Sequence, residues 1–97
     1  MSNTDILFIV QYETGVKLSE MKESRHTPRL FAKYLAIIML HEKGEPATII
    51  ARLFDSHRTA IYMAIPVINN LLAFDKLFKH LYANCMAKKK EMEGGVL

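Results

Sequence analysis

Apolar residues in this chain recur three and four positions apart, and no stretch alternates apolar and polar residues as a β-strand does. The first such segment, Asp5 to Thr14, is followed by Gly15, a common helix stop. Within it, Ile6, Ile9 and Val10 share one helix face. The pattern as a whole predicts an all-α fold, a compact bundle of five to six short helices.

A long helix is predicted to begin at Thr27 and Pro28, with the threonine as N-cap and the proline in the first helical position. The apolar period then continues to about Lys43, and Gly44 ends it. We expect His41 to lie on the core-facing side of this helix, as an interior or boundary histidine.

The next two helices are predicted to be joined by a tight turn. The first is short, Ala47 to Phe54, and Asp55 and Ser56 form the turn, with the serine as N-cap of the second helix. The second helix has one apolar face, and Pro66 is expected to bend or end it after Ile65. The residues left facing outward in its first turns are His57, Arg58, Thr59, Ala60 and Tyr62. Two helices around a tight turn, the second opening with exposed polar residues, are typical of a helix-turn-helix.

A last helix is predicted over about Phe74 to Met86. Its expected buried residues are Leu77, Phe78, Leu81, Tyr82 and Cys85. The residues that follow, AKKKEMEGGVL, have no apolar period. We therefore expect residues 1–86 to form one helix-turn-helix domain and residues 87–97 to form a flexible basic C-terminal tail.

Composition limits the class of protein. Of the 97 residues, 51% are hydrophobic and 24% charged, which favours a folded globular domain over a disordered chain. The lone Cys85 cannot form an internal disulfide, the histidines show no paired ligand spacing, and no Ser-His-Asp or Cys-His arrangement is visible. The longest apolar stretch, Tyr34 to Leu40, is too short to span a bilayer, and the N-terminus lacks signal-peptide features. We expect a soluble cytoplasmic protein that is not an enzyme, uses no cofactor or metal and does not enter a membrane.

The formal net charge of +3 is unevenly distributed along the chain. One short stretch carries four cations, with Glu23 as the acid among them: Lys22, Arg25, Arg29 and Lys33. A local positive patch on a mildly basic protein favours an anionic partner, commonly nucleic acid. Charge alone is equally compatible with a solvated surface.

Three short motifs follow one another along the chain. The first comprises Pro28, Arg29, Ala32 and Leu35. The second comprises Ile50, Ala51 and Phe54. The third is the run His-Arg-Thr-Ala-Ile at residues 57–61. In this order, and over about Asp5 to Ala83, the chain resembles a stand-alone form of the C-terminal DNA-binding domain of the bacterial chromosomal replication initiator DnaA family.

The corresponding motifs of that family are Pro-Arg-Gln-Ile-Ala-Met-Tyr-Leu, Ile-Gly-x-x-Phe and Gly-Arg-Asp-His-Thr-Thr-Val. In this chain Arg58 stands where the family has its base-contacting His, His57 where it has Asp, and Ala60 replaces the second Thr. Leu30 replaces the Gln that follows Pro-Arg. We therefore expect the fold to be shared while the DNA target differs. Since no GxxxxGK[ST] loop occurs, we expect no ATPase activity.

The resemblance implies a fold of the DnaA C-terminal, Trp-repressor-like type that binds double-stranded DNA in replication control or transcriptional regulation. It also implies that Arg29 contacts DNA near its helix start and that the loop holding Arg25 reaches into the minor groove. The predicted base-contacting residues are His57, Arg58, Thr59 and Tyr62. The predicted backbone or minor-groove residues are Lys22, Arg25, Arg29, Lys33, Thr48 and Ser56.

Each predicted base contact has an alternative that involves no DNA. The Arg58 guanidinium can donate two hydrogen bonds to guanine O6 and N7, or it can pair with Asp55 at the surface. His57 and Thr59 are equally compatible with an ordinary first helical turn. Tyr62 either extends the binding surface or packs against the domain.

A different class of function stays open beside DNA binding. The chain is also compatible with a protein–protein interaction module that kept the fold and lost the DNA contacts, since most signature side chains differ. An exposed face shared by Arg25, Arg29 and Arg58 favours DNA, and their dispersal or burial favours the interaction module. The expected partners are double-stranded DNA and, beyond it, replication or regulatory proteins, and the oligomeric state stays undetermined.

Overall fold

A computed structural model describes residues 1–23 and 25–94. Over this part of the chain the fold has six helices and no strand, which confirms the all-α prediction. The helices are α1 (Asn3–Thr14), α2 (Leu18–Lys22), α3 (Arg29–Lys43), α4 (Ala47–Leu53), α5 (Arg58–Phe74) and α6 (Lys76–Gly94).

Helix α3 lies at the centre of the bundle. Every residue from Leu35 to Leu40 is buried, because α1, α2, α4, α5 and α6 all pack against α3. A helix that is hydrophobic on all sides requires neighbours on all sides. In the last turn of α3 and its cap, residues 41–44 are exposed, and Glu42 accepts a hydrogen bond from Tyr82 of α6 at the surface. The prediction that His41 faces the core is therefore wrong.

The ends of α1 and α3 follow local sequence signals. The Asp5 amide donates to Ser2 Oγ (3.1 Å) and the Ser2 amide donates to Asp5 Oδ2 (3.0 Å), which closes a capping box at the start of α1. These hydrogen bonds hold the pKa of Asp5 below its usual value. Gly15 and Gly44 end α1 and α3 with φ of 73° and 102°, in the left-handed region that favours glycine.

Two predicted N-caps are wrong. Helix α3 begins at Arg29 with Pro28 as its N-cap, and the Leu30 amide that a Thr27 cap would bind donates instead to the carbonyl of His26 (2.9 Å). Helix α5 begins at Arg58 with the preceding residue as N-cap and no capping side chain. The Ser56 hydroxyl donates to the carbonyl of His57, the N-cap residue (3.5 Å), and caps no amide of α5.

Helix α5 continues past Pro66 to Phe74, so the proline does not end it. Pro66 lacks the N–H that would bond the carbonyl of Tyr62, four residues earlier. Both residues are exposed, so water can satisfy that carbonyl. Because Pro66 is on the solvent side of α5, the packing of the buried face of this helix is not interrupted.

Helix α6 begins later and ends later than predicted. Phe74 belongs to α5, Asp75 separates the two helices, and their axes differ by 99°. Phe78 is fully buried, edge-on against Phe31 with ring centroids 5.1 Å apart, whereas Leu77 is 52% exposed. The predicted burial of Leu77 is wrong, because adjacent helical residues point about 100° apart and Phe78 occupies the core direction.

The segment predicted to be a flexible tail is helical as far as the structure describes it. Helix α6 extends through Gly94, and residues 95–97 of the predicted tail lie outside the described residues. The Lys88 ammonium lies over the Tyr12 ring, 4.7 Å from its centroid, and 3.8 Å from Glu91 Oε1. Packing against α1 thus accompanies the extension of α6 beyond Met86.

Replacing Gly44 with alanine is expected to lower the free energy of unfolding by about 1–2 kcal/mol, because a Cβ is unfavourable at positive φ. A Cβ built at Gly44 meets no atom within 4 Å, so the cost comes from the backbone alone. Gly94→Ala is the matched control, since Gly94 is helical and also has open space around it. Urea unfolding followed by circular dichroism measures both changes. Equal stabilities for the two variants would contradict a left-handed cap at Gly44.

Candidate nucleic-acid interface

The turn between α4 and α5 is held by one buried aromatic ring. Phe54 follows the last residue of α4 and is buried among the core residues. The Ser56 amide donates to the carbonyl of Ala51 (2.9 Å), which folds the turn back onto α4. Asp55 lies between them with φ of 51°, a conformation that Asp adopts more readily than most residues. These contacts fix where α5 starts relative to α4.

Helix α5 divides into a buried and an exposed side. Ile61, Ala64 and Ile68 are buried in the core. The predicted outward residues are all exposed: His57, Arg58, Thr59, Ala60 and Tyr62. Tyr62 is 64% exposed, so its alternative of packing against the domain is wrong. The opening turns of α5 therefore expose these five side chains, which are polar except for that of Ala60.

Arg58 has no ion-pair partner within residues 1–23 and 25–94. Its proposed alternative partner, Asp55, pairs instead with Lys22 of α2, with Nζ 3.3 Å from Oδ2. This contact brings α2 next to the α4–α5 turn and leaves the Arg58 guanidinium exposed.

Two further predicted residues lie beside the same turn. The Lys33 ammonium of α3 is 5.9 Å from the centroid of the Phe54 ring. Lys33 and Ser56 both line an open groove between α3 and α5. Together with Lys22 they surround the turn, although each comes from a different element of the chain.

The other two predicted arginines form a second group at the start of α3. Arg25 and Arg29 are exposed and line one shallow depression. Arg29 Nη2 lies 3.3 Å from Glu20 Oε2. Because Glu20 and Lys22 both belong to α2, this short helix connects the second group to the α4–α5 turn.

Thr48 is the predicted residue that the structure leaves apart. It is exposed in the first turn of α4, at the opposite end of that helix from Ser56. Arg52 was not predicted, although it is exposed in the last turn of α4, directly before the turn. A basic residue in the last turn of the helix before the predicted turn was the signal that could have identified it.

The two ionisable groups with raised pKa values, Cys85 and Tyr82, belong to α6 and are not part of this surface. Burial raises the pKa of the Cys85 thiol to about 12, with Glu13 contributing, so the thiol stays protonated near neutral pH. Burial and a hydrogen bond donated to Glu42 Oε1 (2.6 Å) raise the pKa of Tyr82.

Among the described residues no three His, Cys, Asp or Glu side chains cluster as metal ligands do. In the same part of the chain no single helix is long and apolar enough to cross a membrane, and the bent pair of α5 and α6 reaches that length only together.

Comparison of the chain with protein-family models, with curated proteins and with solved structures yields no match. The resemblance to the DnaA C-terminal domain therefore depends on the motifs of this sequence alone and stays a prediction.

Proposed function

We propose that this protein binds double-stranded DNA through a helix-turn-helix made of α4, the turn at residues 54–57 and α5, as a DnaA-like domain without ATPase activity. The observation that supports this most is the exposed polar opening of α5, on a helix whose opposite face is buried in the core. A recognition helix needs a buried apolar face, which holds it on the domain, and an exposed polar face, which enters the major groove.

Base contacts are proposed to come from the first turns of α5. The exposed Arg58 guanidinium can donate two parallel hydrogen bonds to guanine O6 and N7. His57 and Thr59 flank it, and Tyr62 lies one turn further along. No side chain caps this 17-residue helix, so its first two backbone amides can bind a phosphate, while the third, that of Ala60, donates to the carbonyl of His57.

Backbone contacts are proposed to come from the cations around the turn and at the start of α3. Lys22 and Arg29 each pair with a carboxylate at 3.3 Å, but these pairs are partly solvated. Surface ion pairs contribute about 0–1 kcal/mol, so a DNA phosphate can replace the carboxylate at little cost. Lys33, Arg25 and Ser56 complete the proposed phosphate-binding surface, and Arg52 extends it. The proposed role is replication control or transcriptional regulation in the cytoplasm.

Fluorescence anisotropy with a random-sequence duplex over a range of salt concentrations tests DNA binding directly. Roughly four to six phosphate contacts predict that log affinity falls against log salt with a slope of about −4 to −5. The double variant Lys22→Gln/Lys33→Gln should reduce the magnitude of that slope by about 2. Its charge-matched control, Lys76→Gln/Lys79→Gln, changes two exposed lysines of α6 and should leave the slope nearly unchanged.

Two outcomes would contradict the proposal. Absence of binding at low salt would favour the interaction module, and a pull-down would then be the next experiment. Equal losses in the two double variants would mean that binding follows net charge and not the surface around the α4–α5 turn.

A further inference from the structure

The exposed side of α5 is unusually poor in charge. Residues Thr59 to Phe74 include no acidic, basic or histidine side chain. Nevertheless Met63 is 70% exposed, Val67 47% and Phe74 81%. The solvent face of a helix ordinarily carries charged residues, and an exposed apolar face depleted of charge is characteristic of the centre of a protein–protein interface.

These residues form a continuous stripe along α5. Its members are spaced three, four, three and four positions apart: Ala60, Met63, Val67, Asn70 and Phe74. This is the spacing of a helix that packs against another helix with interlocking side chains. The stripe borders the proposed DNA-contacting residues, because Thr59 lies one turn before Met63 on the same side of α5. Lys33 and Ser56 also line the groove beside the stripe.

The stripe has a groove at one end and a projecting side chain at the other, so its two ends are complementary in shape. At its first end the small Ala60 opens onto the groove between α3 and α5, which has a volume of about 380 Å³ and apolar walls that include Leu30 and Tyr34. At its other end the large Phe74 projects beside a shallower depression of about 270 Å³, lined also by Leu71. A cavity of about 150 Å³ accommodates a benzene ring, so the groove has room for a phenylalanine side chain.

We propose that this stripe binds a second copy of the chain in an antiparallel, two-fold symmetric dimer. A two-fold axis at Val67 exchanges positions 60 and 74, which lie seven residues on either side of it. Phe74 of each copy then enters the groove beside Ala60 of the other, and Met63 enters the depression beside Leu71. Because a two-fold contact uses the same surface of both copies, it closes at two copies.

Area and charge are both consistent with this occupant. Taking about 150–200 Å² for a large apolar side chain, Met63, Val67 and Phe74 expose roughly 300–400 Å² per copy. This is about half of the roughly 800 Å² per partner of a standard interface, and the walls of the groove and of the depression add to it, so we expect a weak dimer. The stripe itself brings no like charges together, although each copy carries a net charge of +3.

Light scattering coupled to size-exclusion chromatography, without DNA, tests the dimer independently of the proposed DNA binding. We expect a mass twice the 11.1 kDa of one chain, falling to 11.1 kDa in Phe74→Glu. Phe8→Glu is the matched control, since Phe8 is 53% exposed on α1 and should leave the mass doubled. Circular dichroism verifies that both variants are folded. A wild-type mass of one chain at high micromolar concentration would overturn the proposal and favour a different protein as the occupant of the groove.

Oxidative crosslinking tests the position of the axis. Val67→Cys should form a disulfide-linked dimer, because the two copies of that position meet at the axis. Asn69→Cys is its control on the same helix, exposed but about 200° around it. The natural Cys85 is buried and does not compete. Equal crosslinking of the two variants, or crosslinking of Asn69→Cys alone, would overturn the proposed interface.

Discussion

Phe78→Ala is expected to lower the free energy of unfolding by about 3–5 kcal/mol. Phe78 is fully buried, and its ring meets Phe31 edge-on at 5.1 Å, so it joins α6 to the central helix α3. Truncation removes both the buried surface and this aromatic contact and leaves a cavity between the helices. Since small domains have roughly 5–15 kcal/mol of stability in total, the variant should be close to its unfolding transition.

Leu77→Ala provides the control for this result. Leu77 precedes Phe78 on α6 and is exposed, so its truncation should change the free energy of unfolding by no more than about 0.5 kcal/mol. Urea unfolding followed by circular dichroism measures both variants under one condition. If Leu77→Ala cost as much as Phe78→Ala, the face that α6 presents to the core would be different from the one described above.

Arg58→Ala is expected to relax the sequence preference of DNA binding. A pair of hydrogen bonds to guanine provides about 1–3 kcal/mol of discrimination, or roughly 5- to 150-fold in affinity. The measurement requires a preferred duplex selected from a random pool. Affinities for that duplex and for a random duplex are then compared in the wild type and the variant. The ratio of the two affinities should fall, while binding to the random duplex changes little.

Arg29→Ala is the comparison that separates the two proposed kinds of contact. Arg29 lies at the start of α3 and is proposed to contact phosphate, so its removal should weaken binding to all duplexes nearly equally. The slope of log affinity against log salt should also decrease in magnitude by about 1. Negligible effects from both arginine variants would contradict the proposed docking of α5, even if the protein bound DNA by another surface.

Much of the helical framework was predictable because its signals act within one or two turns. Gly15 and Gly44 end their helices through a left-handed backbone that glycine adopts without strain. The apolar period of α1 placed Ile6 and Ile9 in the core, and the polar residues that open α5 are exposed. The sequence also shows that residues 59–74 of α5 carry no charge. Only the structure shows that part of this stretch is exposed.

The errors occur where a local rule competes with contacts from elsewhere. Thr27 has the right side chain for an N-cap, but the Leu30 amide is already bonded to the carbonyl of His26. Leu77 and Phe78 are both apolar, and the packing of α6 against Phe31 decided which of them is buried. The apolar period shows which face of a helix is most hydrophobic, but it does not show which neighbouring helix that face contacts.

The sequence by itself determined that this protein is an all-α domain, that α1 and α3 end at Gly15 and Gly44, and that a polar cluster opens α5. These properties depend on residues close together in the chain. The tertiary structure alone decided that Asp55 pairs with Lys22 and so leaves Arg58 exposed, and that the apolar stripe of α5 lies beside an open groove. Those relations join residues far apart in the chain, and only the packing of α2, α3 and α5 brings them together.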